Sequence, residues 1–435
     1  MDPLIIGIIG VFVCLFLIAV GVPIAVSTAL VGMTGLVVIK GMAAAFTAAS
    51  SFPFFQAASF TMSVIPLFIL TGLVIFACGI GEEIFIALRR WLGHFPGGLA
   101  ASTTAACALM GTCTGSSIAT TALMAKVAYP QMRQYKYAPS MAFGVVASSG
   151  TLASIIPPSI VIVIYAVMAN QSIGELLIAG LIPGFISAAI YMTMIIGRAK
   201  LNPSLGMPLP PVPWGVRISS LRYLIPVVII FIIIVGGIYR GIFTATEAGG
   251  MAALAVFIIV LITGRLTLSR LKSSLLETVR LTVMIIVLIV GVSFFTKFLT
   301  YAGVTLAFAE TALKFPSPLI TLVLIFIVCI IMGMFIDASG MMMISTPIFV
   351  PVIIELGYDP VWFGILIIKM VEVAMITPPI GGNVFIAQGI VGDKELSLES
   401  AFKAIVPFLI CDIITLILLI TFPRIITFLP ATMSG

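Results

Sequence analysis

The chain has 435 residues, of which 61% are hydrophobic and only 8% are charged, and it carries a net charge of +6. This composition leaves far too little polar surface to coat a soluble globule of that length. Apolar stretches of about 18 residues or more recur throughout, which indicates membrane-spanning helices and not the short alternating strands of a membrane barrel. The basic residues lie at segment ends and in short loops without interleaved aromatic residues. The positive-inside bias of membrane proteins explains them, and nucleic-acid binding is not expected.

Residues 1–63 are predicted to form N-terminal scaffold helices. Two apolar segments, 3–20 and 22–39, come first. Asp2 stands where a signal peptide would carry basic residues, so we expect the first segment to be retained as a helix. Residues 42–60 are less apolar, and their sequence leaves open whether they span the membrane or lie along its surface.

Residues 64–197 are predicted to form a first repeat. After a helix at 64–80, residues 81–95 combine an apolar face with charged residues, which is typical of a helix lying in the membrane interface. The apolar segment 98–128 has basic residues on both flanks, which places both of its ends on the cytoplasmic side. A re-entrant hairpin with its tip at 114–117 satisfies that condition.

The first repeat continues with a helix at 140–169 that Pro157–Pro158 interrupts. Proline lacks an N–H and its ring clashes with the carbonyl one turn earlier, so the helix must open there. A helix at 176–197 then returns to a linker at 198–222. This linker is rich in proline and in basic residues, and we therefore expect it in the cytoplasm.

The second half follows a similar plan. Residues 223–280 are predicted to form second-half scaffold helices, and the last part of this region is a basic amphipathic stretch. Residues 281–430 are predicted to form a second repeat. Its parts are a helix at 281–298, a hairpin at 317–355, a helix at 361–391 broken by Pro378–Pro379, and a final span at 403–430.

The spacing of glycine and proline relates the two halves. Gly111 stands 46 residues before Pro157, and Gly333 stands 45 residues before Pro378. One basic residue lies beside the second hairpin against five beside the first, so the second hairpin should open outward. The sequence therefore predicts an all-α polytopic membrane protein. Its fold would be an inverted repeat with two oppositely oriented re-entrant hairpins and two Pro-Pro-broken helices.

The two breaks are predicted near the middle of the membrane, where the hairpin tips should meet them. Freed carbonyls and helix ends are tolerated in a bilayer only where protein, water or an ion satisfies them. Oxygen ligands without an obligatory carboxylate suit a monovalent cation such as Na⁺, and half-helix N-termini suit an anion beside it. The oxygen-bearing residues are Ser116, Ser117, Ser149, Thr151, Ser159, Ser339, Thr377 and Asn383, and Gly115, Gly150, Gly340, Gly381 and Gly382 let backbone carbonyls approach. The alternative for each cluster is helix packing by small residues, but four clusters at repeat-related positions favour a site.

Six ionisable residues inside apolar runs are candidates for a proton or ion relay: Glu247, Lys297, Asp337, Lys369, Glu372 and Asp412. Lys369 and Glu372 are three residues apart on one helix, and mutual neutralisation is an equal alternative. Glu247 follows two threonines at a helix start, which favours a helix cap. Asp337 directly precedes the second tip and is the best candidate for a functional role. We interpret the six cysteines and Met341–Met343 as core residues and not as disulfides or metal ligands.

Three motifs resemble the large membrane subunit of tripartite ATP-independent periplasmic (TRAP) transporters. GTLASIIPPSI at 150–160 is similar to the family's GTLG-x-LIPPSI pattern, and FTATEAGG at 243–250 is similar to its PTEA segment. EVAMITPPIGGNVF at 372–385 is similar to its E-x-x-x-x-TPP-x-G-x-N pattern. Ala153 replaces a usual glycine and Ala245 a common proline, and neither is a proposed ligand. The resemblance covers essentially the whole chain.

The resemblance implies an elevator-type secondary transporter in the bacterial inner membrane, driven by Na⁺ as coupling ion and without any other cofactor. The implied cargo is a carboxylate such as a C4-dicarboxylate or a sialic acid. The implied partners are a small four-helix membrane subunit and a periplasmic substrate-binding protein. By similarity, one Na⁺ site would comprise Gly115, Ser116, Ser117, Ser149, Gly150, Thr151 and Pro157. The other would comprise Ser339, Gly340, Thr377, Pro379, Gly381, Gly382 and Asn383. Substrate contacts are expected from Ser116, Ser117, Ser159, Asp337, Ser339 and Asn383.

Other functions remain as alternatives. A stand-alone Na⁺/carboxylate symporter would need no binding protein. An intramembrane hydrolase using Ser116 or Ser117 lacks its other parts, because the only histidine, His94, lies in the predicted interfacial helix and no metal-binding motif is present. We therefore expect no enzyme activity. A pore is disfavoured by hairpins that seal from both sides. No arginine lies near either tip to select one carboxylate over another.

Overall fold

The computed structural model describes residues 2–334, 336–379, 381–393 and 396–433. Within those residues the chain is built from helices and contains no strand. Six of the described helices are long and apolar enough to cross a membrane, or seven if a bent pair, Trp214–Tyr223 with Ile225–Tyr239, is counted as one span. This is the all-α polytopic architecture expected from the composition. Phe335 and Ile380, which belong to the predicted second hairpin and second broken helix, lie outside the described residues.

Four helices and one short 3₁₀ turn form the start of the chain. They are α1 (Pro3–Ala19), α2 (Ile24–Lys40), α3 (Met42–Ala57), the turn Phe60–Ser63 and α4 (Val64–Ala77). Residues 42–60, whose state the sequence left open, are therefore mostly helical, with Pro53 inside α3. The predicted interfacial helix is α5 (Ile80–Leu92). Two glutamates stand in its first turn and two arginines in its last turn, an arrangement that suits the helix dipole.

The first hairpin and the first broken helix follow α5. Their elements are α6 (Gly98–Thr114), α7 (Ser117–Gln134), α8 (Pro139–Ser149), a 3₁₀ turn (Gly150–Ser154), α9 (Ile160–Met168), α10 (Ile173–Ala179) and α11 (Leu181–Leu201). The hairpin is longer than predicted, because α7 continues through Pro130 to Gln134. The break begins at Gly150, before the two prolines, and helix resumes at Ile160, where Ser159 caps it by accepting a bond from the N–H of Ile162 at 3.3 Å.

The linker and the second half contain the remaining helices. The linker holds a 3₁₀ turn (Pro203–Leu205), α12 (Trp214–Ser220) and a 3₁₀ turn (Leu221–Tyr223). The second half holds α13 (Ile225–Phe231), a π-helical turn (Ile232–Gly236), α14 (Gly237–Tyr239), α15 (Ala245–Ile262), α16 (Leu268–Ala302), α17 (Val304–Leu313), α18 (Pro318–Gly333), α19 (Ala338–Glu355), α20 (Pro360–Ile376), α21 (Gly382–Val391), α22 (Leu398–Thr421) and α23 (Arg424–Ala431).

Two predicted elements of the second half differ from the observed ones. The basic amphipathic stretch and the helix at 281–298 form one continuous helix of 35 residues, α16, because no proline interrupts them. The final span predicted at 403–430 begins earlier and is split into α22 and α23 at Phe422–Pro423, where proline ends the hydrogen-bonded ladder.

Several local interpretations are confirmed. Glu247 closes a capping box with Thr244 at the start of α15, so it is a helix cap. All six cysteines are free and buried. Met341–Met343 are at most 1% exposed and belong to the core.

The two hairpins pack on the two broken helices at matching positions. Gly111 of α6 lies against Ala153, in the 3₁₀ turn at the start of the first break. Gly333 of α18 lies against Ala374, near the end of α20 before the second break. The two glycines are 222 residues apart along the chain, and the two alanines that they contact are 221 residues apart. The internal repeat of the sequence is therefore also present in the packing. The orientation of each hairpin across a membrane stays a prediction.

Candidate functional site

The first hairpin tip docks directly on the first helix break. Gly115 follows α6 with a φ of +57°, a conformation that residues with a Cβ rarely adopt. Its carbonyl accepts a hydrogen bond from the N–H of Ile160 at 3.3 Å. A Cβ on Gly115 would lie 2.5 Å from the carbonyl oxygen of Pro158. Ser116 then caps α7 by accepting a weak bond from the N–H of Ala119 at 3.4 Å. The tip therefore needs glycine both for its backbone angle and for its close approach to the break.

A layer of buried hydroxyl groups lies behind this tip. The hydroxyls of Ser149 and Thr104 are 2.8 Å apart, and Thr151 donates to the carbonyl of Ser148 at 2.7 Å. Gly150 packs so closely on Thr121 that a Cβ would collide with that side chain. Pro157 is buried, and the buried hydroxyl of Ser159 donates to the carbonyl of Ser154. The hydroxyl oxygens without a partner are those of Thr121, Ser148 and Ser154. Of these three, none was among the predicted ligands, although they have the same chemistry as the residues that were.

The second tip presents a carboxylate. Asp337 caps α19 by accepting a bond from the N–H of Ser339 at 3.0 Å, and its side chain is exposed. Ser339 is partly buried, and Gly340 packs against Ile24 at the start of α2. Asp337 therefore lies at the hairpin tip, as its position in the sequence predicted, and it also caps α19, which was not predicted.

Both tips line one cavity of about 350 Å³. The first tip contributes Gly115, Ser116 and Ser117, the second contributes Asp337, Ala338 and Ser339, and Ile160 and Val161 of the resumed helix α9 complete this side. The opposite wall consists of residues of α4 and α16, among them Gly72, Phe76, Glu277 and Ile285. The cavity, which we call the tip cavity, thus lies between the hairpin tips and two helices outside the hairpins. The predicted convergence of the tips is observed, but the wall residues from α4 and α16 were missed because sequence spacing does not reveal partners in other helices.

The second break lies away from this cavity. Thr377 donates its hydroxyl to the carbonyl of Val373 at 2.6 Å, and Pro379 is exposed. Asn383 is fully buried, and neither its side-chain oxygen nor its nitrogen has a hydrogen-bond partner. Gly381 and Gly382 connect the break to α21, which packs on α7 and α8. Ser339 lines the tip cavity together with the first tip, whereas neither Thr377 nor Asn383 lines it. A buried amide without a partner among the described residues is rare, which makes Asn383 a candidate for ligand binding.

Charged side chains from two helices form a buried cluster near the second break. The ammonium of Lys369 lies 2.7 Å from Glu372 and 2.7 Å from Asp412 of α22, and all three side chains are 0% exposed. Ser187 of α11 also accepts from Lys369, at 3.2 Å, and the hydroxyl of Tyr191 donates to Asp412 at 2.7 Å. The neutralisation of Lys369 by Glu372 is confirmed. Its extension to Asp412 and α11 was missed, although three charges in apolar sequence were the signal for it.

His94 lies elsewhere. It lines a small cavity of about 150 Å³ together with Arg89, Arg90 and Tyr135. Neither Ser116 nor Ser117 lines that cavity. The Ser-His arrangement that a hydrolase would need is therefore not assembled at the first tip.

Comparison with known proteins gives consistent matches over nearly the whole chain. The family model described as "Tripartite ATP-independent periplasmic transporter, DctM component" matches residues 10–425. The chain is 33% identical to the C4-dicarboxylate TRAP transporter large permease protein DctM of Pseudomonas aeruginosa, over 86% of this chain and 85% of that one. It is 30% identical to the sialic acid TRAP transporter large permease protein SiaM of Vibrio cholerae, over 98% of this chain and 99% of that one.

A solved structure shares the fold. The crystal structure of the Alcanivorax borkumensis YdaH transporter, described as having an unusual topology, aligns with a TM-score of 0.61. The alignment covers 98% of this chain and 100% of that one at 14% sequence identity, a level at which it shows a common fold alone.

Proposed function

The chain belongs to the DctM family of large permease subunits of tripartite ATP-independent periplasmic transporters, and we propose that it imports an organic carboxylate by Na⁺ symport with an elevator mechanism. As a member of this family it is a multi-pass protein of the bacterial inner membrane. The family implies a small membrane subunit and a periplasmic substrate-binding protein as partners. We propose C4-dicarboxylates or sialic acids as the cargo, because two of its relatives carry those substrates in their names.

The tip cavity is the observation that carries this proposal. Two helices, α7 and α19, begin at its wall, and helix N-termini favour an anion such as a carboxylate. Asp337 lines the same cavity with a negative charge. At a separation of roughly 5 Å and an effective dielectric constant of about 20, two such charges repel by about 3 kcal/mol. A cation bound beside Asp337 would remove this repulsion, which gives a physical reason for coupling carboxylate binding to Na⁺.

We assign the first Na⁺ site to the first tip and the first break. The proposed ligands there are backbone carbonyls and side-chain hydroxyls. None of them carries a formal charge, which suits a monovalent cation. The unpartnered hydroxyls of Ser148 and Thr121 support this assignment, because buried polar atoms without partners are exceptional. The proposed ligand set is Gly115, Ser116, Ser117, Ser149, Gly150, Thr151 and Pro157.

We assign the second Na⁺ site to the second break, and the unpartnered amide of Asn383 supports it. The proposed set is Ser339, Gly340, Thr377, Pro379, Gly381, Gly382 and Asn383. Ser339 lines the tip cavity and Asn383 does not, and we propose that the second tip and the second break form this site together during the cycle. Substrate contacts are proposed for Ser116, Ser117, Ser159, Asp337, Ser339 and Asn383.

The elevator proposal follows from the two sides of the tip cavity. The tips belong to hairpins that pack on the broken helices, whereas the opposite wall belongs to α4 and α16. Hairpins and broken helices would move together as one body against α4 and α16. Such a movement carries the site across the membrane without unfolding the breaks.

Uptake into proteoliposomes tests the function. The chain is reconstituted with its small membrane subunit, and uptake of labelled succinate or N-acetylneuraminate is measured with the binding protein outside. We expect uptake to require both an inward Na⁺ gradient and the binding protein. Equal uptake driven by a proton gradient without Na⁺ would contradict Na⁺ symport. Uptake of free substrate without the binding protein would instead show a stand-alone symporter.

A further inference from the structure

A second polar cavity, of about 600 Å³, lies at the other end of α16. One wall is the connection between α9 and α10, with Asn170 and Gln171, and the other wall is formed by α3, the turn after it, and α16. The connection contains no lysine or arginine from Asn170 to Ser172, and the positive-inside rule therefore predicts that it lies on the outward side. We call this the outer cavity.

One face of α16 is polar where it borders the outer cavity. Ser293, Thr296, Lys297 and Thr300 follow the spacing that puts residues on one side of a helix. Ser293 accepts a hydrogen bond from the side-chain amide of Gln56 at 3.2 Å. The hydroxyl oxygen of Thr296 is buried and has no partner. Polar groups at this depth of a membrane helix are costly unless they serve a water-filled cavity or a ligand.

Lys297 is the one charged residue among the described residues that line the outer cavity. Its ammonium lies 5.1 Å from the ring centre of Tyr301, and it forms no ion pair within the described part of the chain. The exposed ammonium of Lys297 can donate hydrogen bonds to an anion. The hydroxyls and carboxamides that line the same cavity can also donate to it. The nearest comparable group is Lys40, 5.0 Å from the same ring, which does not line the cavity.

The outer cavity is separate from the tip cavity, although both border α16. The tip cavity reaches Ile285 and the outer cavity begins at Ser293, a distance of about 12 Å along the helix axis. A third space beside the outer cavity shares Asn170, Thr296 and Thr300 with it and carries Glu355 as its charged residue. The two adjoining spaces therefore carry opposite charges. The outer cavity, which contains Lys297, is the one whose charge suits an anion.

We propose that the outer cavity is an additional carboxylate-binding site, in which Lys297 and the polar face of α16 hold the substrate on the outward side before the tips receive it. This inference rests on the proposed function in taking a carboxylate as the cargo. It adds a site that none of the motifs marks, between the α9–α10 connection and helices α3 and α16, and none of the described hairpin residues lines it.

Thiol labelling tests the site without any need for transport. The native cysteines are all buried, so Thr300→Cys introduces an accessible thiol at the cavity wall. In the assembled transporter, succinate or N-acetylneuraminate should slow the reaction of this thiol with a membrane-impermeant reagent. At an acid concentration of twice the dissociation constant of that acid, the reaction should be about threefold slower. Uncharged succinamide should not slow it. Adding Lys297→Gln should abolish the protection. Thr311→Cys, on exposed α17 outside the cavity, should show no protection by any of the three compounds. Equal labelling of Thr300→Cys with and without both acids would overturn the proposal.

Transport kinetics provide a second readout. Lys297→Gln should raise the KM for binding-protein-delivered substrate about tenfold while changing the maximal rate little, which corresponds to a loss of about 1.4 kcal/mol of substrate binding. Lys297→Arg should restore most of the affinity, and Lys40→Gln should behave like the unaltered chain. An equal effect of Lys40→Gln and Lys297→Gln would show a general surface-charge effect and contradict a site. Absence of Na⁺-driven uptake by the unaltered chain would refute the proposed function, while the labelling result would still decide on the outer cavity.

Discussion

The two hairpin-and-break pairs have nearly the same spacing in the sequence but different environments in the structure. The first tip is closed onto its break by a backbone hydrogen bond between Gly115 and Ile160 and is surrounded by hydroxyl groups. The second tip holds its carboxylate, Asp337, in the tip cavity, and its break lies elsewhere with Pro378 and Pro379 exposed. The repeated backbone plan therefore carries one neutral tip and one charged tip.

The residues just before each break show the same contrast. Pro157 and Pro378 are 221 residues apart, and at that offset Ser148 and Thr151 correspond to Lys369 and Glu372. In the first half the pair is joined by a hydroxyl-to-carbonyl bond, and in the second by an ion pair that extends to Asp412. Buried charge is thus concentrated in the second half, where its removal should have the largest consequences.

The largest effect is expected from Lys369→Met. It would leave the carboxylates of Glu372 and Asp412 buried without a cation, which typically costs about 3–5 kcal/mol of stability. Thermal unfolding in detergent should show a strongly lowered midpoint or no folded protein. Lys403→Met, which breaks the exposed pair with Glu399, is the control and should change little. An unfolding midpoint like that of the control would mean that the cluster does not hold the second half together. Combining Lys369→Met with Glu372→Gln and Asp412→Asn should recover part of the loss.

A smaller effect is expected from Gly115→Ala, which acts on the first half. Gly392→Ala is a matched control, because both glycines have a φ of +57° but a Cβ on Gly392 would meet no atom of the described residues within 4 Å. Both variants should lose about 1–2 kcal/mol through the left-handed backbone. Gly115→Ala should lose more, and should also lose Na⁺-driven uptake, because its Cβ lies against Pro158. Equal unfolding midpoints and equal uptake for the two variants would show that the closure of the first tip is not needed.

Asp337→Asn should affect ion coupling more than stability. Asparagine caps helices as well as aspartate, so α19 should keep its start while the tip cavity loses its charge. We expect the Na⁺ concentration for half-maximal uptake to rise about tenfold, the consequence of losing about 1.4 kcal/mol of cation binding. Asp359→Asn, which alters the cap of α20 outside the cavity, should leave it unchanged. An unchanged Na⁺ dependence in Asp337→Asn would remove the carboxylate from the coupling mechanism.

The smallest effect concerns a link between the halves. Arg265 forms two bonds to Glu83 of α5, at 2.7 and 2.8 Å, and these bonds raise the pKa of the guanidinium. Because the pKa of Arg265 is raised in the folded protein, the contribution of its charge to stability is complete at every pH below the ordinary pKa of arginine. This contribution disappears only in strongly alkaline solution, so no pH dependence of stability is expected from Arg265 between about pH 6 and 9. Because the pair is partly exposed, Arg265→Met should cost about 1 kcal/mol or less in an unfolding measurement. A much larger loss would show that the two halves depend on this contact.

Sequence alone determined the features that depend on a few neighbouring residues. Pro378–Pro379 follow the C-cap of α20 directly, Gly115 closed a tip, and Ser159, Glu247 and Asp337 stand at helix starts that they help to cap, because each effect acts within one helical turn. The first break is less local, since α8 already ends at Ser149, eight residues before Pro157. The continuity of α16 was also encoded, by the absence of proline from Leu268 to Ala302, but the change from basic to apolar residues suggested two segments.

Only the tertiary structure decided which of these features meet. It placed Ser339 in one cavity with the first tip, joined Lys369 to Asp412 across two helices, and made α16 a wall of two cavities. Such partners are tens to hundreds of residues apart along the chain. Their contacts follow from how whole helices pack, and a local pattern of hydroxyls or charges specifies the chemistry of a side chain but not its neighbour.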